Sequence, residues 1–133
     1  MTRVTKKHAN PTSTQRPAGA RQPQTGTVPI RTNGYTDLRS YGAIGDGRTV
    51  ALIALDGSID WFPVPNLNGT PVFARLLDES EGGALELTPT QPFTATRRYL
   101  PGTNVLETTF TTETGTAVLT DALVTGFAGR LPW

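Results

Sequence analysis

Residues 49–65 read Thr-Val-Ala-Leu-Ile-Ala-Leu-Asp-Gly-Ser-Ile-Asp-Trp-Phe-Pro-Val-Pro, and this stretch predicts a β-hairpin. Two runs rich in aliphatic, β-branched and aromatic residues flank Asp56-Gly57. An Asp-Gly pair suits a two-residue type I′ turn, because both central positions need positive φ, which glycine adopts freely and aspartate tolerates. Apolar side chains fill both faces of the first run, Val50–Leu55, so we expect a second layer of structure to cover this strand.

The chain after this hairpin alternates short β-rich segments with turn residues. Further strands are predicted at residues 84–88, 93–100, 104–112 and 116–124, with turns at 101–102 and 113–115. In the third of these, Leu106, Thr108 and Phe110 share one face, which is the period-two pattern of a half-buried strand. Residues 71–78 instead carry apolar side chains at spacings that predict one or two short helical turns. With six strands and hardly any helix, the sequence predicts an all-β fold, part of an antiparallel β-sandwich.

The composition argues against several classes of function. With 12 Lys plus Arg against 11 Asp plus Glu in 133 residues, the formal net charge of +1 gives no global field for binding nucleic acid or a membrane surface. Cysteine is absent, which removes thiolate nucleophiles and cysteine-ligated metal sites, and the single histidine, His8, lies near the N-terminus. The sequence contains no run of about 18 apolar residues, which is the length needed to span a bilayer. We therefore expect no metal, no cofactor, no nucleic-acid partner and no membrane partner.

The first 33 residues differ from the rest in charge and composition. Five basic and no acidic residues precede residue 31, and the other 7 basic and all 11 acidic residues follow. Four prolines interrupt this segment, and its apolar side chains are too few to offset the entropy lost on ordering. Residues 1–33 are therefore predicted to be a disordered basic tail, and residues 34–133 the folded domain. No apolar region follows the early basic residues as in a secretory signal, so a cytoplasmic location is the default expectation.

A glycine-rich stretch, residues 41–48, precedes the hairpin and could suggest phosphate binding through backbone N–H groups. The order of elements argues against this interpretation. Phosphate-binding loops and dinucleotide fingerprints follow a strand and open a helix, whereas these glycines precede a strand.

Three aspartates, Asp46, Asp56 and Asp60, raise the possibility of a paired-carboxylate site. An inverting glycosidase holds its acid and base about 6.5 to 9.5 Å apart. The alternative is structural, with Asp46-Gly47 and Asp56-Gly57 as turn residues and Asp60 anchoring nearby backbone or Arg48. We favour the structural role for each of the three.

Side chains on the predicted strands are open to two interpretations. Trp61 could form a platform on which a sugar ring stacks, but an aromatic residue in such a strand is more often part of the core.

Arg97 and Arg98 are adjacent on one strand, so they are expected to point to opposite faces. One of the two can pair with Glu107 across the neighbouring hairpin.

Several motifs, taken in order, resemble one known family. They are Tyr-Gly-Ala-Ile-Gly-Asp-Gly-Arg at 41–48, Asp-Gly-Ser-Ile-Asp-Trp at 56–61, Phe-Ala-Arg-Leu-Leu at 73–77, Arg-Arg-Tyr-Leu-Pro-Gly-Thr-Asn-Val-Leu-Glu-Thr-Thr-Phe at 97–110 and Thr-Asp at 120–121. From about residue 35 onward the chain resembles the N-terminal domain of bacterial glycoside hydrolase family 15 proteins, the trehalase-like and glucoamylase-like enzymes.

The resemblance implies a β-supersandwich packed on a C-terminal α/α barrel, in which two glutamates hydrolyse α-glucosidic bonds with inversion. The segments that carry those glutamates in the family lie beyond Trp133. Residues 34–133 are therefore expected to be a C-terminally truncated, non-catalytic domain that supports the missing barrel, and this chain alone is expected to be inactive. The α-glucoside substrate would be reached only through the full-length enzyme.

The loop after Trp61 departs from the family pattern, which usually reads Leu-Cys-x-Pro-Arg-Phe-Asp-Ser-Pro. Here Asn66 replaces the basic position and Asn68 the acidic one. The resemblance places this loop where the sandwich approaches the barrel. Trp61, Asn66, Asn68 and the adjacent Asp60 are therefore our candidates for contact with the substrate rim or the barrel.

Two other interpretations remain open at this point. The chain could be a stand-alone carbohydrate-binding module in which Trp61, Tyr41 or Tyr99 stacks on sugar rings. It could also be an adhesion or scaffold domain of the immunoglobulin type, which fits the strand count but explains none of the ordered motifs. These residues do not distinguish trehalase from glucoamylase specificity, because the resemblance implies that loops of the barrel determine it.

Overall fold

The computed structural model describes the backbone of residues 24–27 and the whole of residues 31–124. Eight strands are present in these ranges: β1 (Gln24–Thr27), β2 (Gly42–Gly45), β3 (Val50–Ile53), β4 (Ile59–Pro63), β5 (Pro71–Phe73), β6 (Phe93–Tyr99), β7 (Leu106–Thr112) and β8 (Gly115–Asp121). The one helix in them is a 3₁₀ turn at Leu38–Ser40. No helix in these ranges has the length and apolar character needed to cross a bilayer.

The strands form two antiparallel four-stranded sheets. The first has the order β1-β6-β7-β8 and the second the order β2-β3-β4-β5. Residues from both sheets meet in one core cluster, where Ile44, Ala51 and Ile53 of the second sheet pack on Leu106 of the first. The all-β antiparallel sandwich predicted from the sequence is therefore confirmed.

The core follows the period-two pattern of the strands. Along β7 the buried residues are Leu106, Thr108 and Phe110, the three that the sequence placed on one face. Phe110 also anchors a second cluster with Leu55 and Ala95, and its ring meets that of Phe93 edge-on at 5.3 Å between centroids. Because alternate side chains face the opposite sheet, each strand contributes apolar surface without needing an apolar run.

The hairpin of β3 and β4 exists, but its turn is not type I′. Leu55, Asp56 and Gly57 form a three-residue loop, closed by hydrogen bonds from Gly57 N to Ala54 O (3.0 Å) and from Ala54 N to Ser58 O (2.8 Å). Gly57 alone in this loop has positive φ, at +87°. This is the geometry of a type I turn followed by a left-handed glycine. The extra residue lets Leu55 enter the second core cluster, a tertiary contact that the local sequence did not reveal.

Five of the six predicted strands are present, as β3, β4, β6, β7 and β8. The prediction for residues 84–88 is wrong, because only Leu85 pairs there, through an isolated bridge to Ile59. The prediction of helical turns over residues 71–78 is wrong for residues 71–73, which form β5 and pair with β4. Residues 74–78 do make one turn of the backbone. The glycine-rich stretch was not predicted to be a strand, yet it supplies β2.

The predicted disordered tail through residue 33 also needs correction. β1 pairs with β6 in the register Gln24↔Arg97 to Thr27↔Thr94, and Arg31 takes part in a largely buried ion pair. A strand added to a sheet edge is held by main-chain hydrogen bonds, so a polar, proline-flanked segment can join a sheet without apolar side chains. The remainder of the predicted tail, residues 1–23 and 28–30, lies outside the described residues.

The two adjacent arginines lie as the sequence predicted. Arg97 is buried and donates to the carbonyl oxygens of Ile53 and Ser40, which ties β6 to the second sheet. Arg98 lies on the outer face and pairs with Glu107, with 2.7 Å between Nη2 and Oε2.

The close packing around Gly57 gives a stability prediction, for which Gly47 is the control. A Cβ at Gly57 would lie 2.6 Å from the Leu87 carbonyl oxygen and 2.9 Å from Phe110 Cζ, whereas a Cβ at Gly47, where φ is +91°, would meet nothing within 4 Å. Both Gly→Ala changes incur the strain of positive φ, about 1 kcal/mol or somewhat more. We expect Gly57→Ala to lower the free energy of unfolding in urea by about 2 kcal/mol more than Gly47→Ala, because overpacking is added. Equal losses in the two variants would contradict the close approach at Gly57.

Candidate functional site

Asp60 is the most deeply buried charged residue of the hairpin region. β3 and β4 pair as Leu52↔Trp61 and Ile53↔Ile59, so Asp60 is the extra residue of a β-bulge. A bulge redirects the side chain of the inserted residue. Here it places the Asp60 carboxylate in the interior, where the residue has 0% exposure.

Three side chains donate hydrogen bonds to the two carboxylate oxygens of Asp60. Tyr41 Oη donates to Oδ2 at 2.6 Å and Ser58 Oγ donates to Oδ1 at 2.6 Å. Arg31 donates through Nη1 to Oδ2 at 2.8 Å and through Nη2 to Oδ1 at 3.2 Å. We call Asp60 with Arg31, Tyr41, Ser58 and Asp56 the Asp60 cluster.

Arg31 links Asp60 to the hairpin turn. Its Nε donates to Asp56 Oδ2 at 2.6 Å, its Nη2 also donates to Asp56 Oδ1 at 3.1 Å, and its Nη1 also donates to Gly34 O at 3.0 Å. The five N–H groups of a guanidinium can therefore all be accounted for within the protein. A second guanidinium, that of Arg75, lies 3.8 Å from Asp60 Oδ1 and pairs with Glu86.

The pKa values in the Asp60 cluster follow from burial opposed by these contacts. Burial by itself raises the pKa of Asp60, but hydrogen bonds from Arg31, Ser58 and Tyr41 outweigh it, and the pKa lies below the ordinary value. Burial and the adjacent Asp60 carboxylate raise the pKa of Tyr41 well above its ordinary value. Burial lowers the pKa of Arg31, and hydrogen bonds to Asp56 and Asp60 more than restore it. Asp60 is thus held as an anion beside a neutral phenol and a guanidinium.

This geometry corrects the assignment of Asp60 as a rim or interface candidate. The carboxylate is closed to solvent and its oxygens are already bonded, so it cannot exchange a proton with a bound molecule at the surface. The ion-pair partner that we considered from the sequence, Arg48, is replaced by Arg31 and Arg75. No local spacing rule points to Arg31, which lies 29 residues before Asp60 and inside the predicted tail.

The remaining candidates lie on the surface side of the second sheet. Trp61 is half-buried on the face opposite the core, beside Leu52. Asn66 and Asn68 are exposed in the loop that follows β4. That loop is fixed by backbone hydrogen bonds from Leu67 N to Arg48 O and from Gly69 N to Asn66 O, both 2.8 Å, and it contains a cis peptide before Pro65.

The aspartates that the sequence assigned to turns do occupy turns. Asp46 Oδ1 accepts from the backbone N–H groups of Arg48 (2.8 Å) and Thr49 (2.9 Å), with Gly47 in the left-handed region. These backbone hydrogen bonds lower the pKa of Asp46. Asp56 accepts from Ser58 N at 3.1 Å in addition to its pair with Arg31.

A surface groove of about 490 Å³ runs beside β8 and is separate from the Asp60 cluster. Its lining is mainly apolar and contains no ionisable side chain: Leu87, Thr88, Pro89, Phe110, Thr112, Gly115, Thr116, Ala117, Val118 and Leu119. Such a lining offers no side-chain acid or base. Across residues 31–124, no three His, Cys, Asp or Glu side chains are grouped to hold a metal ion.

Removing the charge of Asp60 should destabilise the fold. Asp60→Asn keeps the shape but leaves Arg31 and Arg75 short of a buried anion, and breaking a buried pair costs about 3 to 5 kcal/mol. The depressed pKa of Asp60 means that its contribution is complete above pH 4, near the unfolded pKa, and is lost as pH falls through the lower folded pKa. Measured by urea unfolding, the difference in the free energy of unfolding between wild type and Asp60→Asn should therefore be smaller below pH 4 than at pH 7.

Asp46→Asn is the matched control for that experiment. Asparagine still accepts the two backbone hydrogen bonds of the exposed turn, so the loss should be a few tenths of a kcal/mol. A loss at Asp60 as small as that at Asp46 would contradict the role assigned to the Asp60 cluster.

Comparison with known proteins identifies relatives of this sequence. The profile of the family described as trehalase-like, N-terminal matches residues 31–127. The trehalase of Mycolicibacterium smegmatis is 39% identical over 106 residues, which are 79% of this chain and 15% of that protein. For the trehalases of Mycobacterium tuberculosis and Thermoplasma volcanium the identities are 38% and 39%, over 74% and 61% of this chain and 14% and 13% of those proteins.

This chain therefore spans only a small part of the length of the curated relatives it matches. No solved structure matches it significantly. The family match begins at Arg31, the residue that neutralises the buried aspartate, and runs through all strands from β2 to β8. The chain belongs to the family of trehalase-like N-terminal domains.

Proposed function

We propose that this chain is the non-catalytic N-terminal domain of a glycoside hydrolase of family 15 that hydrolyses an α-glucosidic bond, with trehalose as the first substrate to test. The observation that carries the proposal is the match of residues 31–127 to the trehalase-like N-terminal family, together with trehalases in which the aligned part is about 15% of the protein. The catalytic groups would then belong to polypeptide outside these 133 residues.

The arrangement of acids supports a non-catalytic role. Inverting hydrolysis needs one carboxylic acid and one carboxylate on opposite sides of a water-accessible bond. Asp56 and Asp60 instead share one guanidinium, and Asp60 has no exposed surface. The groove beside β8 offers space but no carboxylate.

The surface around the loop after β4 is the part that we propose to contact the catalytic domain. Asn66, Leu67 and Asn68 are exposed there, with Leu67 at 60% exposure, and Trp61 lies on the strand that leads into the loop. The backbone hydrogen bonds of the loop give it a fixed shape. A rigid loop with polar tips and one apolar side chain suits a domain contact or the rim of a substrate entrance.

An activity assay tests the proposal directly. We expect the purified 133-residue chain to show no hydrolysis of trehalose, maltose or isomaltose, and a longer polypeptide that adds the predicted barrel to hydrolyse at least one of them. Glucose release measured at equal molar protein decides the point. Hydrolysis by the 133-residue chain above the buffer rate would overturn the proposed non-catalytic role.

Tryptophan fluorescence separates this function from a carbohydrate-binding module. Trp61 is half-buried beside Leu52 and not displayed on an open aromatic platform, so millimolar trehalose or maltose should leave the emission of the isolated chain unchanged. Trp61→Phe identifies any signal that comes from Trp133. A saturable change that is present in wild type and absent in Trp61→Phe would favour the module instead.

A further inference from the structure

The loop after β4, residues 64–70, is placed on the second sheet by contacts from outside the loop. Two backbone hydrogen bonds have both partners within it: Val64 N to Thr70 O at 3.4 Å and Gly69 N to Asn66 O at 2.8 Å. These bonds give the loop a local shape but do not attach it to the rest of the sheet. The middle of the loop is attached by a third bond, in which Leu67 N donates to Arg48 O at 2.8 Å.

The β2–β3 turn, residues 46–49, supplies the groups that hold the loop. The carbonyl oxygen of Arg48 accepts the hydrogen bond from Leu67. The buried Thr49 hydroxyl donates to the carbonyl oxygen of Pro63, the last residue of β4, directly before the loop. Both contacts come from adjacent residues of one turn, so the placement of the loop depends on the backbone conformation of that turn.

The Asp46 carboxylate fixes this conformation. Its Oδ1 accepts the backbone N–H groups of Arg48 at 2.8 Å and of Thr49 at 2.9 Å, and Asp46 N donates to Thr49 O at 3.4 Å. Hydrogen bonds from backbone N–H groups to a carboxylate are charge-assisted and stronger than those to a neutral acceptor. One side chain therefore holds the two residues that in turn hold the loop.

The β2–β3 turn is the fixed partner in this contact. β2 and β3 pair at Gly45↔Val50, immediately on either side of the turn. The amide of Asn104, in the connection between β6 and β7, donates to Gly45 O and ties the same point to the first sheet. The turn is thus attached to both sheets, whereas none of residues 64–70 belongs to a strand.

We propose that Asp46 is the positioning residue of the loop after β4: its carboxylate sets the backbone of the β2–β3 turn, and the turn sets the place of the loop. The loop's contact with the catalytic domain is part of the proposed function, which this role of Asp46 deepens and on which it rests. The glycine-rich motif at residues 41–48 then serves the same surface as Asn66 and Asn68.

Amide hydrogen exchange, followed by NMR in the 133-residue chain, tests the positioning through the Leu67 N–H. Asp46→Ala removes the acceptor that holds the turn, so the Leu67 amide should exchange about tenfold faster or more, because local opening controls the exchange of a hydrogen-bonded amide. The Gly69 amide, which is bonded within the loop, should change much less. Asp46→Asn keeps an acceptor oxygen and should restore the protection of Leu67 nearly to the wild-type level.

Asp78→Ala is the matched control. Asp78 Oδ1 also accepts two backbone N–H groups of a turn, those of Ser80 at 3.0 Å and Glu81 at 3.1 Å. The backbone of that turn is bonded to Ala74 rather than to the loop after β4. Asp78→Ala should therefore leave the exchange of the Leu67 amide unchanged.

Three results would overturn the positioning role of Asp46. They are an unchanged Leu67 amide in Asp46→Ala, an equal acceleration of Leu67 in Asp78→Ala, and an equal acceleration of Leu67 and the β7 amides in Asp46→Ala, which would indicate a general loss of stability. Exchange at Leu67 requires no catalysis. A longer polypeptide that releases no glucose would therefore refute the proposed function without changing the result at Leu67.

Discussion

A carboxylate that is closed to solvent must receive its hydrogen bonds from the protein, and at Asp60 this requirement organises the domain. Leaving the anion unpaired in the interior would cost several kcal/mol, so donors from separate segments have to converge on it. Arg31 comes from the chain before the second sheet, Tyr41 immediately precedes β2, and Ser58 immediately follows the loop between β3 and β4. Satisfying one buried charge thus fixes the relative positions of three segments. Arg31, the counter-ion that the aspartate needs, is also the first residue of the family match.

The parts of the fold that the sequence predicted are those set by local periodicity. In β7, Leu106, Thr108 and Phe110 lie at every second position, and these three are the buried residues of the strand. The failures have a tertiary cause. β1 is a polar segment held by the edge of β6, and the three-residue loop that ends at Gly57 places Leu55 in the core cluster of Ala95 and Phe110. Neither effect leaves a periodic signal in the sequence.

The cluster around Asp60 was only partly predictable for the same reason. The turn roles of Asp46 and Asp56 follow from residue type and an adjacent glycine, both of which are local. The role of Asp60 depends on an arginine 29 residues away and on a bulge that turns its side chain inward. The resemblance of ordered motifs identified the family, since it uses many residues at once, but it did not show that Asp60 and Trp61, adjacent in sequence, would lie on opposite sides of the sheet.

The buried acid Asp60 differs in its physical requirements from a catalytic acid. A catalytic carboxylate must be reachable and must change protonation during the reaction, whereas Asp60 is stabilising because it is unreachable and stays ionised. A residue that is buried among Arg31, Tyr41 and Ser58 has its acceptor sites filled before any substrate arrives. Asp60 is therefore a structural anion, whereas the loop after β4, held by backbone hydrogen bonds, is what this part of the second sheet exposes to solvent.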